Sequence, residues 1–158
     1  SGLSVEERLC HGLIHLAIAA WCFPTARSLE DPDAVVGTRV STRRIVDYLV
    51  DLCGELKSRA VDDPELGSAE LREAWHAVLS RAETRSTPDG RRAHGTLSGM
   101  VAHALEYLEA GGLMRRLDDS DGGTWQALGA YRLQVRELAA HDAAALVRAA
   151  GARLERGG

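Results

Sequence analysis

The sequence is poor in aromatic residues, which make up 4% of its 158 residues. With few rings available, Leu, Val and Ala must form most of any core, and such a core suits packed helices. Hydrophobic residues still amount to 45%, an ordinary fraction for a globular protein, and a chain of this length buries a substantial core. We therefore expect residues 1–158 to form a single, mainly helical domain.

The chain also lacks a strong charge of one sign, a cysteine framework and a long apolar run. A formal net charge of −4 and a pI near 5.9 give no overall attraction to nucleic acid, so DNA binding would need a local basic face. Three cysteines without a CxxC pair favour reduced thiols and a cytoplasmic location. The longest apolar run, residues 13–23, contains His15 and is too short to span a bilayer, so we expect no membrane partner.

Motifs that would indicate catalysis or a bound cofactor are missing as well. The chain contains no glycine-rich phosphate loop and no GxSxG sequence. Residues 118–122 resemble the opening of a calcium loop, but Gly129 stands where that loop needs a bidentate Glu. His141 and Asp142 are neighbours that a helix would point in different directions. We therefore predict that the protein is not an enzyme and binds neither a metal nor a cofactor.

One set of potential zinc ligands remains. His11, His15 and Cys22 share a helical face, since steps of four and seven residues return to the same side. His and Cys are zinc ligand types, but no further ligand follows at a matching spacing, and Ile18 shares the face. A packed histidine and a buried thiol are the better interpretation.

Hydrophobic spacing and capping residues predict the helices. Ser4 and Glu7 form a capping box, and Pro24 ends the helix that follows. Its inward stripe is expected to be Leu9, Leu13, Leu16, Ala17 and Ala20. Ser41 or Thr42, Ser68, and Thr96 or Ser98 are the other predicted caps. The predicted helices are residues 5–22, 42–58, 69–82, 97–110 and 137–155, and residues 24–33 are expected to form a loop.

Extended segments are predicted on both sides of a polar turn. Gly111 and Gly112 end the helix 97–110, residues 113–117 follow as a first strand, and residues 118–123 form the turn. In residues 131–135 apolar and polar side chains alternate, which predicts the second strand. The β-like run 34–40 is expected to pair with this hairpin.

The helix, glycine stop, strand, turn and strand, with the sequence ALEYLEAGGLMRRLDD…YRLQV, resemble the third helix and wing of the winged helix-turn-helix superfamily of bacterial regulators. The resemblance covers roughly residues 95–136. It implies a mainly α fold with a small antiparallel β-hairpin. The winged-helix core would occupy approximately residues 34–136, with an N-terminal helix 5–22 and a C-terminal helix 137–155 packed on it.

The resemblance implies a non-catalytic DNA-binding module of a bacterial transcription regulator, dimeric through its first and last helices. Phosphate contacts would position it on DNA without reading sequence. Base edges are usually read by Arg, Lys, Asn or Gln, and residues 97–110 contain none of these. The candidate DNA-binding residues are Arg91, Arg92, His94, Ser98, His103, Arg115 and Arg116.

Two alternatives stay open. The acidic balance and the helix without base-reading residues favour a winged helix that binds protein within a multi-subunit complex. Accessory subunits of bacterial condensin-like complexes and winged-helix domains of defence systems are similar in outline. A ligand-sensing helical bundle with an incidental hairpin is the third reading. A continuous basic face around residues 97–116 would favour DNA, and an apolar surface patch or an unpaired strand edge would favour protein.

Overall fold

A computed structural model describes residues 4–35, 39–83 and 96–141, together with residue 151. Its chain is mainly helical with a small antiparallel sheet, which confirms the coarse prediction. The helices are α1 (Val5–Cys22), α2 (Ala26–Glu30), α3 (Thr42–Asp62), α4 (Ala69–Glu83), α5 (Leu97–Ala110) and α6, described over residues 129–141. The strands are β1 (Arg39–Ser41), β2 (Met114–Asp118) and β3 (Thr124–Ala127), and single 3-10 turns cover Pro32–Val35 and Ser120–Gly122.

Four of the five predicted helix starts are confirmed, and each of these helices begins at a hydroxyl that accepts a hydrogen bond from a free amide. The Ser4 hydroxyl accepts from the Glu7 amide, and the Glu7 carboxylate accepts from the Ser4 amide, so the capping box is complete. Ser41, Ser68 and Thr96 accept amides of the first turns of α3, α4 and α5. These bonds satisfy donors that a helix start leaves unpaired.

The sheet has the strand order β1-β3-β2, with both pairs antiparallel. Arg39, Gln126 and Arg115 lie side by side across the three strands, and the next row is Val40, Trp125 and Arg116. An irregularity in β2 between Arg116 and Asp118 shifts the register. The single strand β1 therefore pairs with the hairpin formed by β2 and β3.

The predicted strand at residues 131–135 is wrong, because this segment belongs to α6 and the second hairpin strand is Thr124–Ala127. Tertiary contacts explain the difference. The Tyr131 ring packs against Phe23 with centroids 5.7 Å apart, and Arg132 Nη1 donates to the Leu29 carbonyl at 2.7 Å. These two adjacent side chains are both buried, which the two-sided pattern of a strand does not provide.

Other boundaries differ from the predictions as well, and helix α3 continues to Asp62 rather than ending at residue 58. The segment 24–33 is not all loop, since Thr25 caps the short α2 and a 3-10 turn begins at Pro32. Of the predicted run 34–40, Arg39 and Val40 lie in a strand, residues 34 and 35 belong to the 3-10 turn, and residues 36–38 lie outside the described residues. The last helix begins at residue 129 rather than 137, and its predicted end at 155 lies outside the described residues.

The core lies where α1, α3, α4 and α5 meet the inner face of the sheet, and Trp75 and Trp125 are its largest side chains. Two members of the predicted inward stripe of α1 are instead at the surface: Leu16 is 65% exposed, and Ala20 is exposed too. From Leu9 onward helix α1 carries no charged residue on any side, so its neighbours decide which side is buried. In the described part of the chain, no helix is long and apolar enough to cross a membrane.

Gly123 is required by the close approach of its backbone to Trp125. Its φ is +110°, a conformation that favours glycine, and a Cβ would lie 2.6 Å from Cζ3 of the indole. We expect Gly123→Ala to lower the free energy of unfolding by about 2–4 kcal/mol, from backbone strain and overpacking together. Urea denaturation measures the change.

The matched control is Gly54→Ala in the middle of α3, where a Cβ would meet nothing within 4 Å. There we expect no loss and a gain of up to about 1 kcal/mol from helix propensity. Equal effects of the two substitutions would contradict the packing role of Gly123.

Candidate functional site

The structure distributes the predicted DNA-binding residues over separate surfaces. Arg91, Arg92 and His94 lie outside the described residues. Ser98 is half-buried in the first turn of α5 and lines a groove of about 420 Å³ with the first turn of α3 and the turn of the hairpin. Asp47 and Asp121 line the same groove as Arg43, so its charge is mixed.

The two predicted wing arginines differ in how much of their charge is free. Arg116 Nη2 lies 2.7 Å from Oδ1 of Asp119, and its guanidinium lies 5.0 Å from the centre of the Trp125 ring. Arg115 Nη2 donates to Oε1 of Gln126 at 3.0 Å, a neutral partner. Arg115 thus keeps its full charge at the surface, whereas that of Arg116 is offset by a carboxylate.

One basic residue on the same row of the sheet as Arg115 was not among the predicted DNA-binding residues. Arg39 occupies the same row of the sheet, across Gln126. Arg39 also lies close enough to Asp118 to help lower the pKa of that carboxyl, although the main cause is the hydrogen bond from the Ser120 amide. The alternation of Arg39 with Val40 indicated that Arg39 faces away from the core. Only the strand register across β3 places it on the same row as Arg115.

The exposed side of α5 carries little charge and no base-reading side chain. Its exposed or half-exposed residues away from the sheet are Gly99, His103, Glu106, Tyr107 and Ala110. Glu109 is exposed as well, but Oε1 of its carboxylate accepts a hydrogen bond from Trp125 Nε1 at 2.8 Å. This side of α5 therefore offers a phenol, an imidazole, one carboxylate and small residues.

Helix α1 continues this surface beside α5. The His11 and His103 rings contact edge to face with centroids 6.1 Å apart, and the His15 and Tyr107 rings do the same at 6.1 Å. Next to this contact, α1 presents an exposed ridge one residue wide. We call it the α1 ridge, and it consists of Arg8, Gly12, Leu16 and Ala20.

The α1 ridge and its rim, which is formed by His11, His15 and Tyr107, are nearly free of charge. Residues 9–22 contain no Asp, Glu, Lys or Arg. Burial lowers the pKa of His11 and His15, and the neighbouring histidines lower it further, so both imidazoles are neutral at pH 7. Leu16 is 65% exposed and Tyr107 is 68% exposed. Leu16 and Tyr107 are thus exposed on a surface with few charged side chains.

The histidines and cysteines of α1 do not form a metal site within residues 4–35, 39–83 and 96–141. No group of three or more His, Cys, Asp and Glu side chains there is arranged to hold a metal ion. Cys22 is buried, and its burial raises the pKa of the thiol to about 12, which keeps it protonated. Cys10 and Cys53 are buried thiols as well.

Comparisons with known proteins yield no relative of the chain. It matches no protein-family model, no curated protein and no solved structure.

The imidazoles between α1 and α5 make stability depend on pH. Because the folded pKa values of His11 and His15 lie below 6.5, the unfolded chain binds more protons than the folded chain just below that pH. The stability that the neutral imidazoles of His11 and His15 contribute is complete above pH 6.5. The free energy of unfolding falls as the pH drops from 6.5 through the lowered pKa values of the folded state. Glu7 and Arg81 near His11 act in opposite directions.

Urea denaturation at pH 7.5 and pH 5 measures this loss, and we expect His15→Gln to reduce it. His141→Gln, which changes an exposed side chain of α6, is the control and should lose as much stability as the parent. A His15→Gln variant with the full loss would show that other groups cause it.

Proposed function

We propose that the chain is a non-catalytic protein-interaction module built on a winged-helix core. The fold part of this proposal is supported by the order of the elements after α4. Helix α5 ends at Gly111, the hairpin β2–β3 follows, and β3 pairs with the single earlier strand β1. That pairing is the one expected when a lone strand joins a wing.

The observation that carries the functional part is the exposed surface shared by α5 and α1. A helix that reads base edges presents Arg, Lys, Asn or Gln to the major groove, whereas α5 presents His103, Glu106 and Tyr107. Protein interfaces are enriched in tyrosine, and charged residues are depleted at their centres. The exposed Leu16 and Tyr107 beside neutral imidazoles fit a protein partner better than a phosphate backbone.

Strand β2 adds a second feature that suits protein recognition. Within the described residues its only strand neighbour is β3, so the backbone groups on its other edge have no strand to pair with. An extended segment of a partner can bond to such an edge. The α1–α5 surface and this edge would then form two parts of one interaction module.

A photoreactive benzophenone side chain at position 107 tests the proposal in the cells from which the chain comes. We expect a discrete protein adduct at this position, because Tyr107 stands at the rim of the exposed apolar surface. The adduct should weaken when Leu16→Glu is added, since the new carboxylate charges the same surface.

The matched control carries the photoreactive group at Val61, a hydrophobic residue of α3 that is 79% exposed and lies outside this surface. Equal adducts from both positions would reflect general stickiness and contradict the proposal. Mass spectrometry of the adduct identifies the partner.

DNA binding through phosphates is a second candidate, and one observation favours it. Arg39 and Arg115 flank the neutral Gln126 on one row of the sheet, and both are exposed. They would provide two phosphate contacts independent of sequence. Any DNA binding by the described residues should therefore depend on this row.

Fluorescence anisotropy with a random-sequence duplex at low and high salt separates the two candidates. On the protein-interaction proposal, we expect no complex at micromolar protein and about 150 mM salt, since two phosphate contacts give only weak, salt-sensitive binding. A micromolar or tighter complex that is lost in Arg39→Ala/Arg115→Ala would instead establish the DNA candidate. Arg59→Ala, which changes an exposed arginine of α3 paired with Glu55, is the control.

A further inference from the structure

We propose that the partner of the α1 ridge is a second copy of this chain, packed antiparallel across a twofold axis. Leu16 of each copy would sit over Gly12 of the other. The inference rests on the proposed protein-interaction function and specifies its partner. Shape and charge support it separately.

The α1 ridge has a projecting side chain at Leu16 and a hollow one helical turn away at Gly12. Leu16 projects from α1 with 65% of its surface exposed. At Gly12 a Cβ would meet nothing within 4 Å, so the helix surface has open space there. In a twofold pair, residue i contacts residue j and j contacts i. An antiparallel pair centred between Gly12 and Leu16 therefore places both leucines in hollows at once.

The charges at the two ends of α1 determine the relative direction of the two helices. Arg8 is the one charged residue of the ridge, and its guanidinium makes no hydrogen bond or ion pair with another described residue. The last turn of α1 contains no basic residue, although the carbonyl end of a helix attracts cations. An antiparallel pair centred near residue 14 brings Arg8 of the partner subunit level with Ala20, beside that end. A parallel pair would place two arginines together.

The rim of the ridge extends the contact. Tyr107 is 68% exposed, and its ring contacts His15 at the edge of the ridge. A helix of 18 residues is about 27 Å long, so one helix face and this rim form a smaller contact than the ~800 Å² per partner of a standard interface. We therefore expect a dimer that dissociates in the micromolar range.

Sedimentation velocity of the full chain over a concentration series is the first test. We expect the weight-average mass to rise from 17.0 kDa toward twice that value. Leu16→Glu should keep the chain monomeric, because it places two carboxylates near the twofold axis. Val61→Glu is the matched control, since Val61 is equally apolar and 79% exposed on α3, and it should dimerise like the parent.

The Gly12→Leu variant distinguishes two causes of dimerisation. One is the packing of Leu16 in the hollow at Gly12, and the other is general association of apolar surfaces. The added side chain meets no other group of its own chain at the Cβ, and Leu favours a helix over Gly, so the variant should fold. We expect it to weaken dimerisation at least tenfold because it fills the hollow. Stronger dimerisation by Gly12→Leu would overturn the proposed packing.

Disulfide cross-linking tests the direction of the pair. Chains carrying Gly12→Cys are mixed with chains carrying Leu16→Cys under mild oxidation, and we expect the mixture to cross-link faster than either variant alone. The native cysteines are buried and should not compete. Faster cross-linking of either variant with itself would overturn the antiparallel arrangement.

A chain that stays monomeric throughout the concentration series would overturn the inference as a whole. That result leaves the proposed function standing, because the adduct at position 107 and the DNA titration report on it separately. A position-107 adduct with a different protein, together with a monomeric chain, would assign the surface to that protein instead.

Discussion

Burial of the Trp125 indole is the interaction on which the arrangement of α5 and the hairpin depends. The ring is 0% exposed, its Nε1 donates to Glu109 of α5, and Arg116 of β2 covers it. Gly123 allows the backbone before β3 to pass against the ring. One side chain thus holds a helix, two strands and a turn together, and it engages the Glu109 carboxylate and the Arg116 guanidinium.

The helices were predictable because their signals are local. The caps at Ser4, Ser41, Ser68 and Thr96 each act within three residues, and the sequence shows them directly. The strand predicted at residues 131–135 is wrong because the spacing of Tyr131 and Val135 fits two structures. Residues four apart share one face of a strand, and they also share one face of a helix. Contacts with Phe23 and Leu29, about a hundred residues away in sequence, select the helix.

The surfaces were less predictable than the elements. Positive charge alone grouped Arg115 with Arg116 in the sequence. In the structure Asp119 neutralises Arg116, whereas Gln126 leaves Arg115 charged. The exposure of Leu16 has no local signal, since residues 9–22 of α1 carry no charge on any side and burial there is decided by packing against α3, α4 and α5. Arg39 reaches Arg115 only through β3. Register and helix packing create these surfaces, and both depend on residues distant in the chain.

The outer edge of β2 has a consequence for how copies of the chain associate. An open edge invites strand after strand to add, and proteins block such growth with charged side chains and bulges. β2 has both, with Arg115 and Arg116 in adjacent positions and an irregularity directly after them. Such an edge resists indefinite extension into fibres. A helix pair closed by a twofold axis, in contrast, would end at two copies.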